Sequence, residues 1–144
     1  MATTLDFDFI LRANREISGE SNQKEMDEQS RVRLREDIFG VAPKCRVIIA
    51  ESSAGEAVGM ALYSTTYFAN EGQIMWVSQI YVAPAHRRHI ATGLLMRRLR
   101  AVAVENGWPY ICSGIDNDNL VSRNTVVKAG GELLEQFRIF SVKV

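Results

Sequence analysis

The sequence is poor in the features that mark several common classes of protein. Only two of its 144 residues are cysteines, Cys45 and Cys112, and each lies in an apolar run without metal-ligand spacing. We interpret both as buried, reduced thiols. The 17 basic residues balance the 17 acidic ones, which argues against a general nucleic-acid binder. No apolar run approaches the length of a membrane span, and no repeat or low-complexity tract is present.

Further absences narrow the expected location and chemistry. The first residues, MATTLDFDF, lack the basic segment and apolar core of a secretory signal, so we expect a cytoplasmic protein without a membrane partner. No nucleophile–base triad or metal-ligand cluster is visible, and we predict no metal. A length of 144 residues predicts a single domain over 1–144 with a core of its own.

The first third of the chain predicts helices. Within 5–18 the residues near one helical face are Phe7, Ile10, Leu11, Asn14 and Ile17. A strand over LDFDFIL is the alternative that this pattern leaves open. A second amphipathic helix is predicted from Lys24 to about Phe39, ending at Gly40.

The rest of the chain alternates between the apolar periodicity of strands and that of helices. Strands are predicted at 46–50, 57–66, 74–82, 110–115 and 133–142, and helices at 90–106 and 119–129. The resulting order, ααβββαβαβ, combines hairpins with one strand–helix–strand crossover. It predicts an α+β fold, in which helices flank a mixed antiparallel and parallel sheet.

A basic turn joins the strand that stops at Pro84 to the following helix, within YVAPAHRRHIATGLL (81–95). A helix N-terminus attracts anions through its free amides and dipole. Arg87 and Arg88 add groups that bind phosphate. The alternative is a solvated basic turn, but basic residues at a helix start oppose the dipole, so we favour an anion ligand.

A polar segment, DNDNLVS (116–122), follows the next predicted strand. Asn119 and Ser122 are three residues apart and would share a helix face. Simple N-capping by Asp118 or Asn119 is the alternative. Because ligands gather at the carboxyl ends of strands, one ligand between the two strands would touch both this segment and the basic turn.

In these motifs the sequence resembles the GNAT superfamily of N-acetyltransferases, which bind acetyl-coenzyme A. The resemblance spans roughly residues 30 to 140. It rests on VSQIYVAP, the arginine turn, Leu94-Leu95, the N-x-x-S of Asn119 and Ser122, and the K-x-G of Lys128 and Gly130. LREDIFG, RVIIAES and VGMALYSTTY are most similar to the diamine (polyamine-type) acetyltransferases.

The resemblance implies a set of cofactor contacts. The backbones of Ile80 and Val82 would pair with the pantetheine arm, on a strand that bulges away from its neighbour. Asn119 would contact the pantetheine, with Ser122 nearby. The residues implied to wrap the pyrophosphate, chiefly with amides, are Arg87, Arg88, His89, Ile90, Ala91 and Thr92.

The chain departs from the family at three points. The family turn is Q/R-x-x-G-x-G/A, and its first glycine is either missing here or replaced by His89, depending on the end from which the turn is aligned. Ser78 stands where the diamine enzymes carry a carboxylate base, and Val126 where they carry a tyrosine acid. Neither these residues nor Gln79 can move a proton at neutral pH, so the catalytic residues stay unassigned.

We therefore expect an N-acetyltransferase that moves acetyl from coenzyme A to a primary amine by direct attack in a ternary complex. The acceptor would be a small molecule or a peptide. The alternative, from another class, is a catalytically weak acyl-coenzyme A binding or regulatory module of the same fold. The resemblance also leaves a homodimer open.

Overall fold

The computed structural model describes residues 1–20, 25–87, 91–135 and 142. The helices are α1 (Phe7–Glu20), α2 (Glu28–Phe39), α3 (Ala91–Glu105) and α4 (Leu120–Lys128), and the strands are β1 (Arg46–Glu51), β2 (Ala57–Phe68), β3 (Gly72–Val82) and β4 (Ile111–Cys112). Short 3-10 turns occupy Thr4–Asp6 and Pro84–His86. The chain divides into two compact units, Met1–Gly114 and Ile115–Val144; the single domain stays a prediction.

The sheet is mixed, as predicted. Its four strands lie in the order β1-β2-β3-β4, with antiparallel pairing from β1 to β3. β4 pairs parallel to β3 through two residue pairs, Met75 with Ile111 and Trp76 with Cys112. This parallel pair confirms the strand–helix–strand crossover, because α3 lies between β3 and β4 in the chain.

A β-bulge interrupts β3 just beyond that parallel pairing. The register against β2 passes from Tyr63 opposite Val77 to Leu62 opposite Gln79, so Ser78 is the extra residue. One extra residue reverses the alternation of the strand. As a result Val77 and Val82 both point into the same core, although an unbroken strand would place them on opposite faces.

Apolar clusters cover both faces of the sheet. The cluster under α3 contains Met75, Val77, Val82, Ala91, Leu95, Leu99 and Val102 among others. The cluster on the opposite face includes Phe9, Ile10 and Ala13 of α1, Ile38 of α2, and Met60, Leu62 and Tyr81 of the sheet. The apolar stripe predicted on α3 (Ala91, Leu95, Leu99 and Val102) is confirmed as its buried face.

The two N-terminal helices are confirmed, with shifted boundaries: the first, predicted over 5–18, spans Phe7–Glu20. The strand alternative over LDFDFIL is wrong, because this segment forms the 3-10 turn and the start of α1. The second helix begins at Glu28 rather than at Lys24, because the Asp27 side chain accepts a hydrogen bond from the Ser30 amide at 2.8 Å and caps the helix there. Its end at Gly40 is as predicted.

The C-terminal strands differ most from the prediction. The strand predicted at 110–115 is only Ile111–Cys112, because its pairing with β3 ends at Trp76. Of the final strand predicted at 133–142, residues 133–135 and 142 are not in a strand, and 136–141 lie outside the described residues. Residue 90, the predicted start of α3, is also outside them.

A glycine of β2 leaves room for the neighbouring strand β3 and for α3. Gly59 of β2 lies opposite Val82, and a Cβ added there would stand 3.0 Å from the Tyr81 carbonyl oxygen and 3.4 Å from Leu95 Cδ1. Gly59→Ala should therefore lower the free energy of unfolding by about 1–3 kcal/mol, because the added methyl overpacks this contact. Urea denaturation measures the change.

Gly19→Ala is the matched control. A Cβ at Gly19, in the last turn of α1, meets no atom within 4 Å, and alanine is the better helix former. Its free energy of unfolding should be unchanged or raised by up to about 1 kcal/mol. Equal losses for the two variants would show that Gly59 does not hold this packing.

Candidate active site

The second half of β3 presents an open edge. Past Trp76, none of the described residues pairs with residues 77–82 on the β4 side. The Ala83 amide donates to the Val58 carbonyl at 2.9 Å, so the backbone of Ala83 faces β2. Because backbone groups alternate in direction along a strand, those of Ile80 and Val82 face the open edge. The side chain of Ile80 is 37% exposed beside it.

The first turn of α3 lies against the end of this strand. Ala91 is buried in the same cluster as Val82, and Thr92 follows it half-buried. The N-terminus of a 15-residue helix therefore adjoins the open edge and supplies the anion-attracting dipole expected of it. Arg88, His89 and Ile90, also predicted to contact the cofactor, lie outside the described residues.

Arg87 connects the turn to two other elements. Its Nε donates to the Val82 carbonyl at 3.0 Å, and its guanidinium forms an ion pair with Glu20 at the end of α1 at 2.5 Å. The structure thus brings Ile80, Val82, Arg87, Ala91 and Thr92 into one unit. Their contacts with a cofactor stay predictions.

A row of polar contacts joins α1 to β3 and the turn. We call three of these contacts the polar seam. Gln79 Nε2 donates to Asn14 Oδ1 at 2.9 Å, Tyr81 Oη donates to Glu16 Oε2 at 2.6 Å, and Arg87 forms an ion pair with Glu20. The seam lies on the face of the sheet opposite α3, because Gln79 and Tyr81 alternate with Ile80 and Val82.

Tyr81 is the buried hydroxyl of the seam. Its side chain is 4% exposed and packs edge-on against Phe9. Burial, followed by the hydrogen bond and the negative charge of Glu16, raises the pKa of Tyr81 to about 12. Tyr81 therefore keeps its proton at neutral pH and acts as a hydrogen-bond donor to the Glu16 carboxylate.

Sequence reasoning did not find the α1 side of the seam. Asn14 carried a signal, since it was a polar residue on the apolar face of the predicted helix, and it is indeed buried at 8% exposure. Glu16 and Glu20 carried none, because a carboxylate on a charged helix face is most often solvated. Only the packing of α1 on the sheet distinguishes them.

The positions expected to hold the base and acid have no ionisable group. Ser78 is the exposed bulge residue of β3. Val126 lies in α4, within the second unit, and its side chain packs on Gly131, where an added Cβ would come into contact with Val126 Cγ1. Neither residue can act as an acid or a base.

Asn119 is the N-cap of α4. Its Oδ1 accepts a hydrogen bond from the Ser122 amide at 3.0 Å. This oxygen therefore caps the helix, as the N-capping alternative predicted. The cap does not use the amide hydrogens of Asn119 Nδ2. Contacts of Asn119 and Ser122 with a cofactor stay predictions.

Two further kinds of feature are absent from the described part of the chain. It contains no group of three or more His, Cys, Asp or Glu side chains that could hold a metal ion. Nor does any helix there have the length and apolar character needed to cross a membrane.

Comparison with known proteins gives matches to acetyltransferases. Residues 8–130 match the Acetyltransferase (GNAT) family. Thialysine N-epsilon-acetyltransferase of Bos taurus is 30% identical over 105 residues, which cover 68% of this chain but only 62% of that relative's length.

Solved structures with low sequence identity share the fold. A probable acetyltransferase superposes with a TM-score of 0.85 at 16% identity, over 99% of this chain and 95% of its own. AAC(6')-Iy, in complex with the bisubstrate analogue CoA-S-monomethyl-acetylneamine, superposes with a TM-score of 0.80 at 16% identity, over 98% and 94%. At these identities the two structures bear on the fold alone.

The seam predicts a distinct loss of stability in alkali. The pKa of Tyr81 in the folded protein is about 12, above the ordinary tyrosine value near 10. The contribution of protonated Tyr81 to the free energy of unfolding is therefore complete below pH ~10 and is lost as the pH rises toward ~12. Urea unfolding at a series of pH values should show wild type losing up to about 2 kcal/mol more than Tyr81→Phe across this range. Parallel curves for the two proteins would contradict the contact.

Proposed function

The chain belongs to the acetyltransferase (GNAT) family, and from this premise we propose that it transfers an acetyl group from acetyl-coenzyme A to a primary amine. The acceptor is a small molecule or a peptide, and it attacks the thioester directly in a ternary complex. The observation that carries the proposal is the open edge of β3, with Ile80 and Val82 facing it beside the first turn of α3.

The open edge suits the pantetheine arm. The arm is an extended chain with two amide groups, and an unpaired strand edge binds such a chain by adding it as a further strand. The Ile80 and Val82 backbones supply the alternating donors and acceptors. Residues of β4 leave room for the arm by pairing with β3 only at Met75 and Trp76.

The start of α3 suits the phosphates. Its free amides and dipole favour an anion, and Arg87 adds a guanidinium able to make paired hydrogen bonds to phosphate. In this structure Arg87 Nε donates a hydrogen bond to the Val82 carbonyl. Binding of the cofactor would free that carbonyl for the arm by moving the guanidinium to the phosphates.

The chemistry asks little of the protein beyond position. Acetyl-coenzyme A supplies the acetyl group as an activated thioester, and the protein must orient a neutral amine against it. The acceptor class is supported by the relatives, one of which is a thialysine N-epsilon-acetyltransferase. We further propose that Asn119 Nδ2 donates to the pantetheine and that Ser122 lies near it.

A weak acyl-coenzyme A binding module is the second candidate. It is favoured by the exposed Ser78 and by Val126, which stand where a carboxylate and a tyrosine would assist proton transfer. The open edge of β3 and the start of α3 serve binding equally in both cases.

Release of free coenzyme A separates the two candidates. The purified protein is incubated with acetyl-coenzyme A and a panel of diamines, lysine analogues, aminoglycosides and peptides, and the free thiol is measured over time. The proposed function predicts steady, amine-dependent release by at least one member of the panel. Binding of acetyl-coenzyme A without amine-dependent release would instead support the binding module.

Arg87→Ala tests the phosphate site. Loss of its charge-assisted hydrogen bonds should weaken coenzyme A binding by about 1–2 kcal/mol, with a larger loss at low salt. Isothermal titration at two salt concentrations measures both effects.

Arg98→Ala is the matched control, since Arg98 also forms a surface ion pair, with Glu105 at 2.9 Å, and has a similar exposure of 46% against 42% for Arg87. It should leave the affinity unchanged. Equal affinities of the two variants would place the phosphates away from Arg87.

A further inference from the structure

The amide of Gln79 is held in one orientation by two successive hydrogen bonds. Asn14 Nδ2 donates to the Ile10 carbonyl at 2.9 Å, so Asn14 turns its Oδ1 toward β3. Gln79 must then present its Nε2 to that oxygen, at 2.9 Å. Its own oxygen, Oε1, is left facing away from Asn14.

Gln79 Oε1 is buried and has no hydrogen-bond partner in the part of the chain that the structure describes. A buried carbonyl oxygen without a donor costs about 1–3 kcal/mol, and such groups in proteins usually have a partner. The residue directly follows the bulge at Ser78 and precedes Ile80. An unused acceptor therefore lies next to the strand positions proposed to hold the thioester arm.

The face of the sheet decides from which side an amine can reach that arm. On one face Val77 and Val82 are covered by Leu95 and other apolar residues of α3. On the other face Gln79 and Tyr81 carry the polar seam. An amine that leaves water needs hydrogen-bond acceptors in the site that it enters. The face that carries the polar seam provides such acceptors, whereas the face under α3 is apolar.

Glu16 supplies the carboxylate that Ser78 lacks. It is half-buried, and Tyr81 binds its Oε2 at 2.6 Å. The other carboxylate oxygen, Oε1, is not engaged by that bond. Tyr81 is a positioning residue, because its hydrogen bond fixes the carboxylate.

We propose that the polar seam receives the acceptor amine, with Gln79 Oε1 accepting one of its N–H hydrogens and Glu16 accepting its proton. The inference rests on the proposed function and adds the acceptor side of the same site. It assigns the base role to α1 rather than to the central strand.

The step balances without a further reactant. The ammonium N–H bond breaks and the proton passes to Glu16, which leaves the nitrogen lone pair free to form a bond with the acyl carbon. The carbon–sulfur bond then breaks, and its electron pair leaves with the thiolate. As the amide forms, the nitrogen loses a second proton, which passes to the thiolate, and Glu16 releases the first proton to solvent.

Glu16→Gln tests the proton acceptor. Glutamine keeps an oxygen for Tyr81, so the fold should be retained, while kcat should fall roughly 100-fold or more. KM for acetyl-coenzyme A should stay within twofold. Asp8→Asn removes the same charge from an exposed position on α1 and should leave kcat unchanged. A Glu16→Gln enzyme with the wild-type kcat would overturn the base role.

Gln79→Met tests the orienting amide, with Gln73→Met as its matched control on β3. Both amide ends of Gln73 are paired, with Thr65 and Trp108. Gln79→Met should raise KM for the amine about tenfold and leave KM for acetyl-coenzyme A unchanged, whereas Gln73→Met should leave both unchanged. If Gln79→Met lowers the stability without changing the KM for the amine, Gln79 only joins α1 to β3 and does not contact the amine.

The outcomes separate the two proposals. If wild type turns over an amine and Glu16→Gln and Gln79→Met do so equally well, the seam proposal fails and the acetyltransferase proposal stands. If wild type binds acetyl-coenzyme A but acetylates no amine, both fail. Loss of acetyl-coenzyme A binding in Glu16→Gln would also contradict the assignment, because Glu16 is placed on the acceptor side.

Discussion

The candidate site depends on how little of β3 is paired with β4. Two residue pairs, at Met75 and Trp76, hold the parallel strand in the sheet, and the bulge at Ser78 follows immediately. A longer parallel ladder would consume the backbone groups of Ile80 and Val82. Because this pairing stops early, β3 is not paired with β4 at Ile80 and Val82, beside the N-terminus of α3. The strand edge suits an amide chain, and the helix N-terminus suits an anion.

The bulge also reconciles this edge with the core. Without the extra residue, the Val82 side chain would point away from α3. The first turn of the helix, at Ala91, would then lose its apolar contact with Val82. Gly59 contributes on the neighbouring strand by leaving room for Leu95 and Val82. The same few residues thus set both the packing of α3 and the direction of the open backbone groups, so the stability of this region and its binding function are coupled.

The sequence predicted the elements well where periodicity was strong and poorly where pairing partners decided the outcome. The apolar stripe of α3 is confirmed because its side chains alone determine which face of the helix is buried. The strand at 110–115 was wrong in extent, since the length of a strand depends on how far it pairs with its neighbour and not only on its own β-propensity. The start of α2 was misplaced because the Asp27 cap outweighed the charge-rich pattern that precedes it.

At the site, the strand and turn residues could be predicted from motifs, whereas the α1 residues could not. Ile80, Val82 and Arg87 lie in a continuous segment with a recognisable order. Glu16 and Gln79 are far apart in the chain, and only the packing of α1 against β3 brings Asn14 into contact with Gln79 and Glu16 into contact with Tyr81. A substituted base position at Ser78 therefore does not imply a site without a base, because a carboxylate from another element can be placed on the same strand.

The central claim is that β3 binds the cofactor through the backbone at its open edge, and residue-resolved amide hydrogen exchange tests it most directly. The account predicts that saturating coenzyme A slows exchange at Ile80 and Val82. The Ala83 amide, which is already bonded to the Val58 carbonyl, should change little and serves as the internal reference. Tight binding of coenzyme A with unchanged exchange at both Ile80 and Val82 would contradict the account.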